Sequence, residues 1–179
     1  MAKYSDIKGF TVQTLSTDTV ASAIAGGTWS SGGNLNEGRT RGAGSGTQTA
    51  SILAGGTPPT TADVESYNGS SWTEITELNT GRTGSHASSA APYSATIVFA
   101  GDTGTYPTSN NVANNEYWNG SSWTELADVN TARNSGGGAG TAYTAALLFC
   151  GYSTGIVSNT ESWNGSAWTE VNNANTARY

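Results

Sequence analysis

An internal repeat constrains this chain more than any other feature of its sequence. Three segments read YNGSSWTEITELNTGR (67–82), WNGSSWTELADVNTAR (118–133) and WNGSAWTEVNNANTAR (163–178). A shorter relative, WSSGGNLNEGR, occupies 29–39. Trp29, Trp72, Trp123 and Trp168 lie 43, 51 and 45 residues apart, and Arg39, Arg82, Arg133 and Arg178 repeat those intervals. All six tryptophans and four of the five arginines therefore belong to the pattern. A unit of this length cannot bury its own apolar surface and must stack on its neighbours.

Each full unit reads as four strands. Small-residue runs follow the repeat arginine: GAGSG at 42–46, SHASS at 85–89 and GGGAG at 136–140. The apolar strands TASILAGG, SATIVFAGD and TAALLFCGY come next. After a variable loop, a third strand contains Glu65, Glu116 or Glu161, Asn-Gly turns the chain, and Trp-Thr-Glu opens a fourth strand. Gly, Ser and Thr punctuate every candidate helical window. The expected fold class is all-β, with four-stranded antiparallel blades in about three full units at 39–78, 82–129 and 133–174. An outer-strand remnant lies at 29–36. Residues 27–179 form the repeat array, and residues 1–26, which hold the only two lysines (Lys3 and Lys8) and share no repeat position, read as an anchoring or assembly arm.

Composition narrows the function classes. Lys+Arg is 7 against Asp+Glu 13, a net charge of −6, which argues against a grip on nucleic acid or an anionic membrane surface. No run approaches the ~20 apolar residues of a membrane span, and the opening MAKYSDIKGFTVQ carries no secretory pattern, so assembly in a cytoplasm is expected. The single Cys150, inside ALLFCG, excludes an internal disulfide and reads as a buried structural thiol.

The units resemble kelch repeats: a glycine-rich end to the second strand, an aromatic, then a Trp in the outer hairpin. The double glycine reads as intact only at Gly55-Gly56, with Gly101-Asp102 and Gly151-Tyr152 in the later copies. The family's long turn before Trp is shortened to Asn-Gly-Ser-Ser or Asn-Gly-Ser-Ala. The leader IKGFTVQTLSTD running into AGGTW is similar to kelch-like proteins of marine tailed phages. That resemblance implies a β-propeller fold, in which the crowded inner strand accounts for the small residues and the outer hairpin carries the aromatics. It also implies a virion location, as a tail-fibre or particle-surface component.

Several motifs have plainer readings. The Asn-Gly-Ser triplets at Asn68, Asn119 and Asn164 match a glycosylation acceptor but read as hairpin turns requiring positive φ. The glycine clusters lack the Lys and helix of a phosphate loop. His86, the only histidine, has no second His or Cys nearby for a metal and no Gly-x-Ser-x-Gly elbow to serve. Paired glutamates recur in three units (Glu65/Glu74, Glu116/Glu125, Glu161/Glu170), whereas glycoside hydrolysis needs one pair; Glu–Arg bridging is the preferred account. No catalytic, cofactor or metal residue is assigned.

Length variation concentrates between the second and third strands, and the longest such loop spans 103–115. Variable loops on a rigid frame carry recognition. Asp102, Thr103, Tyr106, Asn110, Asn111 and Asn114 are therefore the candidate partner-binding residues, suited to polar ligands such as a host-surface glycan, or to a protein. Three units fall short of the four to eight blades of a closed ring. Copies of this chain or other virion proteins are thus expected as partners. The alternatives are a cellular kelch-like interaction module and a carbohydrate-active propeller enzyme.

Overall fold

The computed structural model describes residues 30–88, 92–105 and 107–179. The arm at 1–26, Trp29 and Tyr106 lie outside the described residues. The described strands all belong to one compact unit, Gly32–Tyr179.

That unit contains three four-stranded antiparallel sheets, each a simple meander, and no helix among the described residues. The first comprises β1 (Ala43–Thr47), β2 (Ala50–Gly56), β3 (Thr61–Tyr67) and β4 (Trp72–Ile75). The second comprises β5 (His86–Ala87), β6 (Thr96–Phe99), β7 (Asn115–Trp118) and β8 (Trp123–Leu126). The third comprises β9 (Gly137–Ala142), β10 (Ala145–Phe149), β11 (Thr160–Trp163) and β12 (Trp168–Val171).

Register aligns the sheets residue by residue. Leu53, Glu65 and Glu74 lie abreast in the first, as do Val98, Glu116 and Glu125 in the second and Leu148, Glu161 and Glu170 in the third. This register corrects the placing of the double glycine. Gly55-Gly56 (φ 65° and 126°) corresponds to Ala100-Gly101 (58° and 121°) and Cys150-Gly151 (61° and 109°), one residue earlier than the sequence pairing. In every sheet the left-handed residue stands two places after the one abreast of the glutamate (Leu53 to Gly55, Val98 to Ala100, Leu148 to Cys150), so the strand positions coincide where the glycine letters do not. The hairpin between third and fourth strands is likewise a four-residue loop, with Tyr67 paired to Trp72. Within it only Gly69 takes positive φ, at 95°. Asn68 acts through its side chain, whose Oδ1 accepts the N–H groups of Ser70 and Ser71 at 2.9 and 3.0 Å.

Because side chains alternate across a strand, each sheet has two faces, here called leading and trailing. Ile52, Ala54 and Val64 on the trailing face of the first sheet pack against Ala87, Val98, Trp118 and Trp123 on the leading face of the second. Ile97 and Phe99, trailing in the second sheet, pack against Ala146, Leu148, Trp163 and Trp168 of the third. β6, Thr-Ile-Val-Phe, is therefore buried on both sides, which removes any reason for polar alternation along it. Cys150 is a buried free thiol.

The sheets come closest through their first strands. A Cβ on Gly138 would lie 2.7 Å from the Ala87 carbonyl oxygen and 2.9 Å from His86 Cβ, so β9 approaches β5 only because residue 138 has no side chain. Ser45 Oγ donates to the Ser88 carbonyl at 2.7 Å. Just before these strands, the Gly84 N–H donates to the Arg41 carbonyl at 2.8 Å, and the Ser135 N–H donates to the Gly84 carbonyl at 3.0 Å.

Candidate recognition groove

The repeated Glu and Arg form three buried ion pairs: Arg39–Glu65, Arg82–Glu116 and Arg133–Glu161. Each glutamate points from the leading face toward the segment that enters its sheet. In the third pair, Arg133 Nη1 lies 2.8 Å from Glu161 Oε1. The same carboxylate accepts the Asn130 N–H at 2.7 Å and the Thr131 N–H at 3.2 Å. Arg133 Nη2 donates to the Leu148 carbonyl at 3.4 Å. Glu116 is held in the same way by Asn79, Thr80 and Arg82. Each such arrangement is a clip: two backbone N–H groups and a guanidinium closed on one carboxylate. Desolvated and paired in this way, these groups fix register and are not free for chemistry. Trp123 and Trp168 are buried and Trp72 is half-buried. Arg178 is exposed and has no carboxylate partner among the described residues.

The loop after β6 is organised by Asp102. Its Oδ1 accepts the N–H groups of Gly104 and Asn110, both at 2.7 Å, and its Oδ2 accepts the Ser109 hydroxyl at 2.6 Å and Asn134 Nδ2 at 3.3 Å. Burial pushes the Asp102 carboxyl upward, but Ser109, the two N–H groups and the Arg41 charge outweigh it and hold it below its ordinary value. Asn111 Nδ2 reaches the carbonyls of Tyr152 and Ser153 at 3.1 and 2.9 Å, tying this loop to the third sheet. Thr60 Oγ1 donates to the Gly104 carbonyl at 3.1 Å, tying it to the first. Asn110 Nδ2 donates to Thr103 Oγ1 at 2.6 Å, and Asn114 Nδ2 to Glu125 Oε1 at 2.8 Å. The five described candidates thus make hydrogen bonds within the chain and shape the loop.

A groove of about 270 Å³ opens between this loop and its neighbours, lined by Arg41, Thr57, Thr83, Asp102, Thr108 and Tyr152 among others. Thr83 is 4% exposed and its hydroxyl has no protein partner. Arg41 Nη2 donates to Ser135 Oγ at 2.8 Å at the far side of the array. Arg41, Thr83 and Tyr152 escape a sequence reading because they come from three different units. The one available signal was Arg41, the sole arginine outside the repeat position.

His86 is buried and its Nε2 accepts the Gly136 N–H at 3.2 Å. Burial, aided by the Arg133 charge, pushes its pKa down to about 4. Its neutral ring therefore bridges two sheets. Asp63, Glu74 and Glu77 bring carboxylate oxygens within 4.8 Å of one another on the first sheet. In the other sheets an asparagine takes the Asp63 position: Asn114 bonds Glu125, and Asn159 bonds Glu170 at 2.9 Å. Relative to the second unit, which keeps an acid (Asp128) at the Glu77 position, the cluster therefore follows from one Asn-to-Asp difference. No family profile matches the chain, and no curated protein is recognisably similar to it.

Proposed function

We propose that this chain is a non-catalytic recognition and assembly module of a phage virion, built from kelch-like propeller blades and displaying a polar groove to a host-surface glycan or protein. Three meander sheets that approach one another through glycine-rich first strands support the blade reading, as does the way Arg41 reaches past the second unit to Ser135. The groove carries the functional part. It is polar, it is framed by a loop cross-linked to both neighbouring units, and it holds a buried Thr83 hydroxyl that the protein itself does not satisfy. A small number of fixed polar groups on a rigid wall is the arrangement that orients a hydroxyl-rich ligand. The commitment of His86 to packing and of Glu65, Glu116 and Glu161 to ion pairs favours binding over hydrolysis. The virion assignment rests on the leader and the repeat flavour.

Mass spectrometry of purified particles tests the location: the chain is expected among the particle proteins, and its absence overturns the viral reading. A glycan array followed by product analysis tests the groove. Retention of intact glycan that is lost in Thr83→Val and Arg41→Ala supports it. Release of cleaved product overturns the non-catalytic reading.

A further inference from the structure

The trailing face of the third sheet differs from its two equivalents. Ile52 and Ala54 are 1% and 0% exposed, and Ile97 and Phe99 are both 0%, because another sheet covers them. Leu147 and Phe149 occupy the same register positions and are 41% and 37% exposed, with Val171 beside them at 41%. Phe149 and Cys150, with Ala174 and Arg178, border an open cleft of about 400 Å³. At the equivalent place between the second and third sheets, Trp168 fills the space and meets Phe99 edge-on at a ring distance of 4.9 Å.

Beside this face stands a fourth clip with nothing in it. Its backbone is already set. The Ala174 N–H donates to the Ser158 carbonyl, as Leu78 does to Ala62 and Val129 to Ala113. The Gly151 N–H donates to the Arg178 carbonyl, as Gly56 does to Arg82 and Gly101 to Arg133. Asn175 and Thr176 thus stand where Asn79 and Thr80 hold Glu116, and where Asn130 and Thr131 hold Glu161. Their N–H groups and the Arg178 guanidinium close on no carboxylate among the described residues.

A glutamate in the matching position exists at the other end of the array. Glu65 lies on the leading face of the first sheet, near the half-buried Trp72 and Leu53. Its own clip is the least complete of the three. Asn36 supplies its one backbone N–H, at 2.8 Å, and Arg39 Nη2 finds no acceptor, whereas Arg82 and Arg133 each bond a strand carbonyl. Leu35 is half-buried, whereas its counterparts Leu78 and Val129 are buried.

From this we infer that the trailing face of the third sheet docks the leading face of the first sheet of a second copy. In the contact, Asn175, Thr176 and Arg178 of one copy take Glu65 of the next, replacing that copy's Asn36 and Arg39, and Trp72 enters the cleft beside Phe149. The exchange swaps one carboxylate clip for its chemical equal while covering apolar surface, so the gain comes from burial. The contact joins two different faces, and it closes into a ring or extends into a filament according to its rotation. It involves a different surface from the groove and stands or falls without it.

Sedimentation of the full chain over about two decades of micromolar concentration tests the contact. The wild-type chain is expected to self-associate. Leu147→Glu, at an exposed position, should abolish association with an unchanged urea midpoint. Arg178→Ala should weaken it by about tenfold or more, whereas Arg39→Ala, which loosens the clip to be displaced, should tighten it. A chain monomeric throughout, association indifferent to Leu147→Glu, or Arg39→Ala and Arg178→Ala moving it in the same direction would each overturn the inference.

Discussion

Arg133→Met offers the sharpest test of how the sheets are held. Arg133 and Glu161 have side chains 0% and 1% exposed, and among the described residues their 2.8 Å contact alone brings a cation to Glu161. Methionine removes the charge while filling most of the space. The carboxylate keeps the Asn130 and Thr131 N–H groups but remains buried and uncompensated. Removing one partner from such a pair costs about 3–5 kcal/mol. With a urea m-value of about 2 kcal/mol/M for a unit of this size, the midpoint should fall by about 2 M. Adding Glu161→Gln removes the second charge and leaves an amide oxygen to accept a backbone N–H. The double variant should therefore recover about 2 kcal/mol of the summed single losses. Arg178→Met is the internal control, since the same residue at the same repeat position without a carboxylate should change stability by less than about 0.5 kcal/mol. Urea titrations followed by tryptophan fluorescence at low protein concentration give all four values. A loss below about 1 kcal/mol for Arg133→Met, or strict additivity in the double variant, would show that the pair does not hold the third sheet in register.

Three further outcomes follow from the packing and the charges. Trp123→Ala should cost about 3–5 kcal/mol, because the indole is buried between sheets and its Nε1 donates to the Thr76 carbonyl at 2.9 Å; Trp72→Ala, half-buried, should cost clearly less in the same titration. His86 has a folded pKa of about 4 against 6.5, so the unfolded chain binds the extra proton between those values and stability falls as pH drops through that window. The loss approaches about 3 kcal/mol, and thermal melts of His86→Gln across the same range should show a flatter dependence. Asp102→Ala should release the loop that frames the groove, seen as faster hydrogen exchange at Gly104 and Asn110, while the strands β6 and β7 keep their protection.

Strand order and the Glu–Arg pairing were legible because each unit writes them out again in nearly the same letters. Four copies of one arginine position and three of one glutamate position leave a single consistent register. What escaped the sequence was non-local or hidden by a local substitution. Ala100 and Cys150 adopt left-handed backbone without being glycine, so their letters do not mark them as equivalents of Gly55 although their strand positions coincide. The loop asparagines read as surface ligands because their chemistry suits it. Only the fold reveals that Asp102 and the carbonyls of Tyr152 and Ser153 engage their neighbours first. The groove itself joins Arg41, Thr83 and Tyr152 from three units, and no spacing rule connects them.

The placing of each ion pair bears on how such a chain can grow or shrink. Arg82 and Glu116 belong to one repeat if the cut is made between β4 and Asn79, and so do Arg133 and Glu161 if it is made between β8 and Asn130. A duplication or deletion with breakpoints there moves each carboxylate together with its guanidinium and both backbone donors. Breakpoints at unlike places, one before an arginine and the other between β5 and β7 or their equivalents, would leave a lone charge in a dry interface, at a cost of about 3–5 kcal/mol. Electrostatics therefore requires both breakpoints to fall at equivalent places in their units, where the arginine of one unit meets the glutamate of the other. Descendants with more or fewer units should differ by whole repeats, each keeping one such pair.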